Sequence, residues 1–307
     1  MAGGFQGGRA VSRTFAPVKT WLLLPSWLVI GIFLVVPVAI MLVYSFLTKE
    51  FRGGVIWEFS LAAYDQFVFD RGLFGDEAPS FEWTYVTIFA RSIVQALAAT
   101  VVCLLIGFPT AYFIATRPAS SRSLWLFLIT VPYWVNLLIR TVSMKFLIRD
   151  NGPMNEFFLS IGITSEPLGL VNTDFAIQLG LFYSYLPFMV LPIYASVERY
   201  NFALSEAAAD LYASRWVTLR EVLLPAVKPG VIAGCILVFV PSLGAFLAPD
   251  LLGGAKNLMI GSLIEEQFKG NAGNWPFGAA ASMILLTMVL IVLLFYARQQ
   301  ARNEGGH

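Results

Sequence analysis

Charge is scarce in this chain. Only 13% of its 307 residues are Asp, Glu, Lys or Arg, against 58% hydrophobic, a balance too apolar for a soluble domain of this length. Histidine is reduced to His307, the last residue of a polar tail. That excludes the Ser/His pair or His/Asp metal cluster that an intramembrane hydrolase needs. Cysteine is limited to Cys103 and Cys235, both inside apolar runs. Two sulfurs alone make no metal site and a structural disulfide is not expected there, so both read as small buried hydrophobes. No Gly-Lys dipeptide occurs, which rules out a G-x-x-x-x-G-K-[ST] phosphate loop; the chain is not expected to hydrolyse ATP. Carboxylates are missing from the interior of the apolar runs, which weighs against a proton- or sodium-coupled secondary transporter. Residues 1–20 are Gly-rich and basic without an apolar core, and no small-residue cleavage site follows the first apolar run, which therefore reads as an uncleaved anchor.

Long apolar runs are what remains. A hydrocarbon layer about 30 Å thick takes roughly 20 residues of helix, and runs of that order recur at about 21–48, 84–116, 123–147, 175–197, 229–249 and 275–297. Arg140 and Lys145 interrupt the third and must snorkel or face protein. The expectation is an all-α integral membrane protein of six transmembrane helices, with tails at 1–20 and 298–307, a membrane domain at 21–297 and a polar loop at 198–228. Orientation follows from Lys and Arg in alternating connections. The side holding both termini and the 198–228 loop carries eleven cations against five anions; the other, with Arg91 counted there, carries nine against fourteen. Both termini are therefore expected in the cytoplasm.

Every run also holds proline: Pro25 and Pro37, Pro109, Pro132, Pro187 and Pro192, Pro241, and Pro276 at the entrance of the last. Proline frees a carbonyl and bends the axis, which suits a bundle around a water-filled path, or reflects ordinary proline use in membrane helices. The first outer connection is long and acidic, with Glu50, Glu58, Asp65, Asp70, Asp76, Glu77 and Glu82. A binding surface and a solvated loop are both open there. Another connection turns at 151–153 and continues with Met154, Phe157, Phe158 and Ile161 apolar, expected to lie as a short helix along the outer face.

The polar loop between the fourth and fifth runs carries the most specific signal. Ser205 is expected to cap a short helix, with Glu206 in its first turn complementing the dipole. Leu204, Ala207, Ala208 and Leu211 fall on one small-residue face, while Glu206 and Asp210 lie on another. Ser214 caps a second short helix, and Pro225 is expected to stop it before the fifth run. Two short helices set at an angle fit an element for docking a cytoplasmic partner, or a pair resting on lipid headgroups.

From Glu206 the spacing E-A-A, three residues, one position, nine residues and "VLLP" resembles the signature of permease subunits of ATP-binding-cassette importers, E-A-A-x3-G-x9-I-x-L-P. Glu206, Ala207, Ala208, Leu224 and Pro225 match, Val222 stands in for isoleucine, and Tyr212 takes the place of glycine. Tyrosine is strained in the left-handed turn that glycine allows, so either the turn shifts toward Ala213 and Ser214 or its geometry differs. The resemblance implies a type I importer permease fold. It also implies that residues 205–211 insert into an ATPase subunit and that Ser205, Glu206, Ala207, Ala208, Asp210, Leu211, Tyr212, Leu224 and Pro225 form the coupling site.

A second resemblance covers "PGVIAGCILVFVPSLGAFLAPDLLGGAKNLMIGSLIEEQF" at 229–268 and "NWPFGAAAS" at 274–282, which look like the spermidine/putrescine branch of these permeases. It implies a path for a polycation in the bacterial inner membrane, with carboxylates at the mouth and aromatic faces within. Candidates are Tyr133, Trp134 and Asn136 on the third run, Tyr183 and Tyr185 on the fourth, and Ser242, Phe246 and Asp250 at the outer end of the fifth. The aromatic set reads equally as packing, and Asp250 as the anchor of an irregular loop. The implied partners are two cytoplasmic ATPase subunits, a second similar permease in a heterodimer, an external polyamine-binding protein and membrane lipid, with no nucleic acid. No cofactor or metal is expected on this chain; ATP and magnesium belong to the ATPase subunits.

Overall fold

The computed structural model describes residues 16–50, 54–70, 80–81, 83–254, 256–269 and 273–304. Asp76, Glu77 and Glu82 of the acidic outer loop, and His307, lie outside them. In chain order, α1 (Ala16–Tyr44) leads into a small antiparallel pair, β1 (Thr48–Lys49) and β2 (Val55–Ile56), with Thr48 opposite Ile56. Helix α2 (Ala62–Asp65) and a second antiparallel pair, β3 (Phe69–Asp70) and β4 (Ser80–Phe81), follow. The helices α3 (Trp83–Ala115), α4 (Ala119–Trp134), α5 (Leu137–Ile148), α6 (Pro153–Ser160), α7 (Asp174–Glu198) and α8 (Ala203–Asp210) come next. Helix α9 (Arg215–Val217) passes through a π-helical stretch (Thr218–Leu223) into α10 (Leu224–Leu243). A second π turn (Pro249–Gly253), α11 (Ile260–Phe268) and α12 (Trp275–Glu304) complete the chain.

Among the described residues, five helices are long and apolar enough to cross a membrane: Leu23–Tyr44, Trp83–Ala115, Asp174–Glu198, Arg215–Leu243 and Trp275–Arg298. A sixth crossing exists only if the pair α4 and α5 counts as one, because that pair is bent by 91°. The expected continuous helix at 123–147 is therefore broken. Pro132 has no N–H for the ladder, Val135 is extended, and Asn136 starts a new helix by accepting from the Leu138 N–H at 2.9 Å. The fifth run differs too: its helix ends at Leu243, and a π turn occupies 249–253.

The core is the trio α3, α7 and α10. Lipid offers no hydrophobic drive for helix association, so small residues that let backbones approach are what hold such a trio together. A Cβ on Gly107 would sit 2.8 Å from Met189 Cγ, and one on Gly234 3.1 Å from the Met189 carbonyl oxygen. Ala99, Ala111, Cys103, Val190, Ile193 and Val238 close the seam without exposure, while Cys235 is half-buried; both cysteines are free. Helix α1 packs beside α12 on the rim and turns Trp27 and Phe33 outward, the polarity of a helix solvated by lipid. At the end of the bundle away from the polar loop, Arg91 of α3 pairs with Asp174 at 2.5 Å and donates to the Lys256 carbonyl and to Asn257 Oδ1. Gln95 Nε2 also donates to Asp174, which ties α3 to α7 and to the segment before α11.

Candidate functional site

Helix α8 starts at Ala203, whose N–H is accepted by Asn201 Oδ1, so Ser205 does not cap it. Ser205 lies inside the helix, and its hydroxyl shares a 2.7 Å hydrogen bond with the Tyr200 hydroxyl. Asn201 stands two residues before Ala203 and reaches the end of the backbone first, which frees the serine for Tyr200. Glu206 sits in the first turn and is exposed, where a carboxylate complements the helix dipole.

The other end of α8 decides the shape of the loop. The Tyr212 N–H donates to the Ala209 carbonyl at 2.9 Å and the Ala213 N–H to the Ala208 carbonyl at 3.0 Å, the paired bonds of a Schellman stop. Such a stop needs a left-handed residue, and Tyr212 supplies it with φ of 59°. The turn neither shifts toward Ala213 and Ser214 nor changes form: tyrosine adopts the conformation expected of glycine. Its strain is roughly 1–2 kcal/mol, and the ring is 99% exposed, so the cost stays in the backbone and no packing is lost.

Ser214 then caps the second helix by accepting from the Val217 N–H at 3.3 Å. Pro225 does not stop that helix. A proline ring clashes with the carbonyl four residues before it, and the wider π turn at Thr218–Leu223 immediately ahead relieves that clash. One helical path thus runs from Arg215 to Leu243. This path and Tyr200, which is 8% exposed at the foot of α7, connect α8 to the core. Nearby, Tyr194 donates to Glu198 at 2.6 Å, and Arg122 meets the same carboxylate at 3.4 Å.

The outward surface of the loop is apolar and aromatic with acid beside it. Leu211 is 81% exposed and Trp216 70%, and Ala207, Glu206 and Asp210 are exposed. Ala208 is half-buried, so the expected alanine face is divided between the protein and the outside. Leu224 is half-buried and Pro225 exposed. Behind the loop lies a cavity of about 600 Å³ between Phe108, Pro109 and Tyr112 of α3 and Ser205, Ala209 and Leu223.

The candidate path residues fall into two groups. Tyr133, Tyr183 and Tyr185 gather near the break between α4 and α5, where Tyr133 and Tyr185 both pack on Phe188. Asn136 is at the break itself, its side-chain oxygen engaged as the cap of α5. Trp134 is 80% exposed and turns away. Ser242, Phe246 and Asp250 belong to the second group: Ser242 is fully buried with its hydroxyl donated to the Val238 carbonyl, Phe246 is 38% exposed, and Asp250 is exposed on the π turn. A single hydrogen bond, from the Tyr185 hydroxyl to the Pro241 carbonyl at 3.2 Å, links α7 to the end of α10 between them.

Sequence reasoning missed what centres the first group. Arg140 is 6% exposed, with its guanidinium carbon 5.5 Å from the Tyr133 ring centroid and 5.7 Å from that of Tyr183. The arginine faces protein rather than snorkelling. A cation four residues past Asn136 in an otherwise apolar run was the available signal.

The chain is similar to proteins of known role. It is 40% identical over 263 residues, 86% of its length and 90% of the relative's, to the spermidine/putrescine transport system permease protein PotB of Escherichia coli. The PotB of Haemophilus influenzae is 35% identical, with 95% of this chain and 94% of that protein covered. The inner membrane ABC transporter permease protein YdcU of Escherichia coli is 30% identical, covering 69% of this chain and 71% of the relative. Among solved structures, a bacterial ABC transporter involved in import of the acidic polysaccharide alginate superposes with a TM-score of 0.63 at 19% identity, over 93% of this chain and 95% of that one. The inward-facing MetNI methionine ABC transporter gives 0.52 at 17% identity, over 70% and 94%. At those identities the likeness is one of fold, and the fold is that of ABC transporter membrane subunits. Residues 105–303, which hold the end of α3, all of α7 and α10 and the whole polar loop, match the binding-protein-dependent transport system inner membrane component family, and the chain belongs to that family.

Proposed function

We propose that this chain is one of two membrane subunits of an ATP-driven, binding-protein-dependent importer that moves spermidine or putrescine into the cytoplasm of a bacterium. The observation that carries the mechanical half is the unbroken helix from Arg215 to Leu243, which joins the polar loop to the core trio. The substrate class is carried by 40% identity, over 86% of the chain, to a relative named for spermidine and putrescine transport.

In this reading the 198–228 loop is cytoplasmic, as are both termini, and the broken pair α4 and α5 serves as one of six crossings. Glu206, Ala207, Asp210, Leu211 and Tyr212 meet an ATPase subunit, which binds ATP and magnesium. Ser205 and Ala208 hold α8 to the membrane helices, and Leu224 and Pro225 carry its motion into α10. One chain has one such loop, and two ATPase subunits need two, so a second similar permease completes the importer. A soluble binding protein delivers the polyamine to the outer face.

The test is ATP hydrolysis by the complete importer in liposomes with its loaded binding protein. Spermidine or putrescine is expected to stimulate it. Stimulation only by an anion or a sugar would overturn the substrate, and full activity without an ATPase subunit would overturn the class.

A further inference from the structure

Arg140 is an expensive residue for its place. It sits in the first turn of α5, and Tyr183 beside it is nine residues into α7, about 13 Å from the outer end at 1.5 Å per residue. On the six-crossing reading given above, that depth lies within the hydrocarbon. Charges at such depth are normally paired or coordinated, yet among the described residues no carboxylate forms an ion pair with Arg140. One guanidinium nitrogen reaches the Pro132 carbonyl at 3.5 Å, and Nε, although buried, has no acceptor.

What surrounds the guanidinium is a receptor for cations. Two tyrosine faces lie within about 6 Å, the range of cation–π attraction. Helix α4 ends at Trp134 and the chain turns extended at Val135, so its last carbonyls lack helical donors and carry the partial negative charge of a helix C-terminus. Broken helices inside membrane transporters place such carbonyl ends against cations. Tyr133 is 48% exposed, giving apolar surface for a methylene chain.

We propose that the broken third span builds a cation site which the Arg140 guanidinium fills at rest and which a substrate ammonium takes over when the guanidinium withdraws. The two cations repel at this range and cannot share the site, so Arg140 is an internal competitor that empties and fills with the transport cycle. Its weak hold, one long hydrogen bond and an orphan donor, makes it displaceable. This inference rests on the polyamine reading given above, and on Arg140 rather than on any residue of the polar loop.

The experiment uses the complete importer in lipid nanodiscs and measures spermidine binding without the binding protein, alongside ATP hydrolysis with it. Arg140→Gln is expected to bind spermidine about tenfold tighter than wild type, the size of a desolvated cation–π site freed of its occupant. Arg140→Lys is expected to stay near wild type, and adding Tyr183→Leu to Arg140→Gln is expected to erase the gain. A purely structural arginine would give no gain. An assembled Arg140→Gln importer that binds spermidine no tighter overturns the inference while leaving the substrate reading intact, provided wild type is still stimulated by spermidine. Absence of that stimulation overturns both. Should Arg140→Gln fail to assemble, Tyr183→Leu alone decides: a several-fold rise in the spermidine concentration for half-maximal uptake is expected, and unchanged uptake overturns the inference.

Discussion

Replacing Tyr212 separates two quantities that its position joins. The residue holds φ of 59° at the end of α8, which costs a tyrosine or an alanine alike roughly 1–2 kcal/mol and glycine almost nothing. Its ring is 99% exposed in the isolated chain, so the ring adds nothing to the stability of this subunit and is available to a partner. Tyr212→Ala therefore keeps the strain and deletes the ring, whereas Tyr212→Gly deletes both. If the ring is buried against the ATPase subunit, its loss costs on the order of 2 kcal/mol, a thirtyfold weaker association, and the two variants should weaken capture of the ATPase equally. They should differ in hydrogen exchange over the last turn of α8, where relief of about 1 kcal/mol slows local opening about fivefold in Tyr212→Gly relative to Tyr212→Ala. Equal exchange in the two variants would refute the strain; undiminished capture by both would refute the ring as a contact.

Other outcomes follow from the same structure. Glu206→Ala is expected to abolish ATP-dependent uptake with normal insertion and assembly of the membrane subunits; uptake at the wild-type rate would remove the loop from the coupling route. Gly230→Ala places a Cβ 2.6 Å from the Pro192 carbonyl oxygen and should lower stability by about 1–3 kcal/mol as α10 is pushed off α7. Gly244→Ala, whose nearest neighbour would be 4.0 Å away, is the matched control, and thermal unfolding in detergent compares the two. Asn136→Ala removes the cap in the middle of the broken span and should cost about 0.5–2 kcal/mol, read as faster hydrogen exchange over 137–148 with α7 unchanged.

The fold was legible wherever composition alone decides. Long apolar runs have one low-energy solution in a membrane, the hydrogen-bonded helix, and five of the six expected runs carry a helix long enough to cross, while the third, which holds Arg140 and Lys145, is broken. The spacing from Glu206 to Pro225 likewise marked the polar loop, because a helix stop and a following cap are set by a few adjacent residues. Ser205 shows the limit of that locality: it was expected as the cap, but Asn201 accepts from the Ala203 N–H, and the Tyr200 hydroxyl gives the serine different work.

What the sequence by itself determined was partition: which segments enter lipid, which remain in water, and that the water-side loop between the fourth and fifth runs is helical and bears a family signature. Two outcomes were local contests whose winner the sequence did not announce: Tyr212 is left-handed because two backbone hydrogen bonds to Ala209 and Ala208 outweigh its strain, and Pro225 is absorbed because a π turn widens the helix just ahead of it. Tertiary structure alone decided the place of Arg140, which stays inside because a broken helix and a tyrosine from α7 meet around it. Burying that cation is a local cost set against a contact made far along the chain, and no window of neighbouring residues contains both Arg140 and Tyr183.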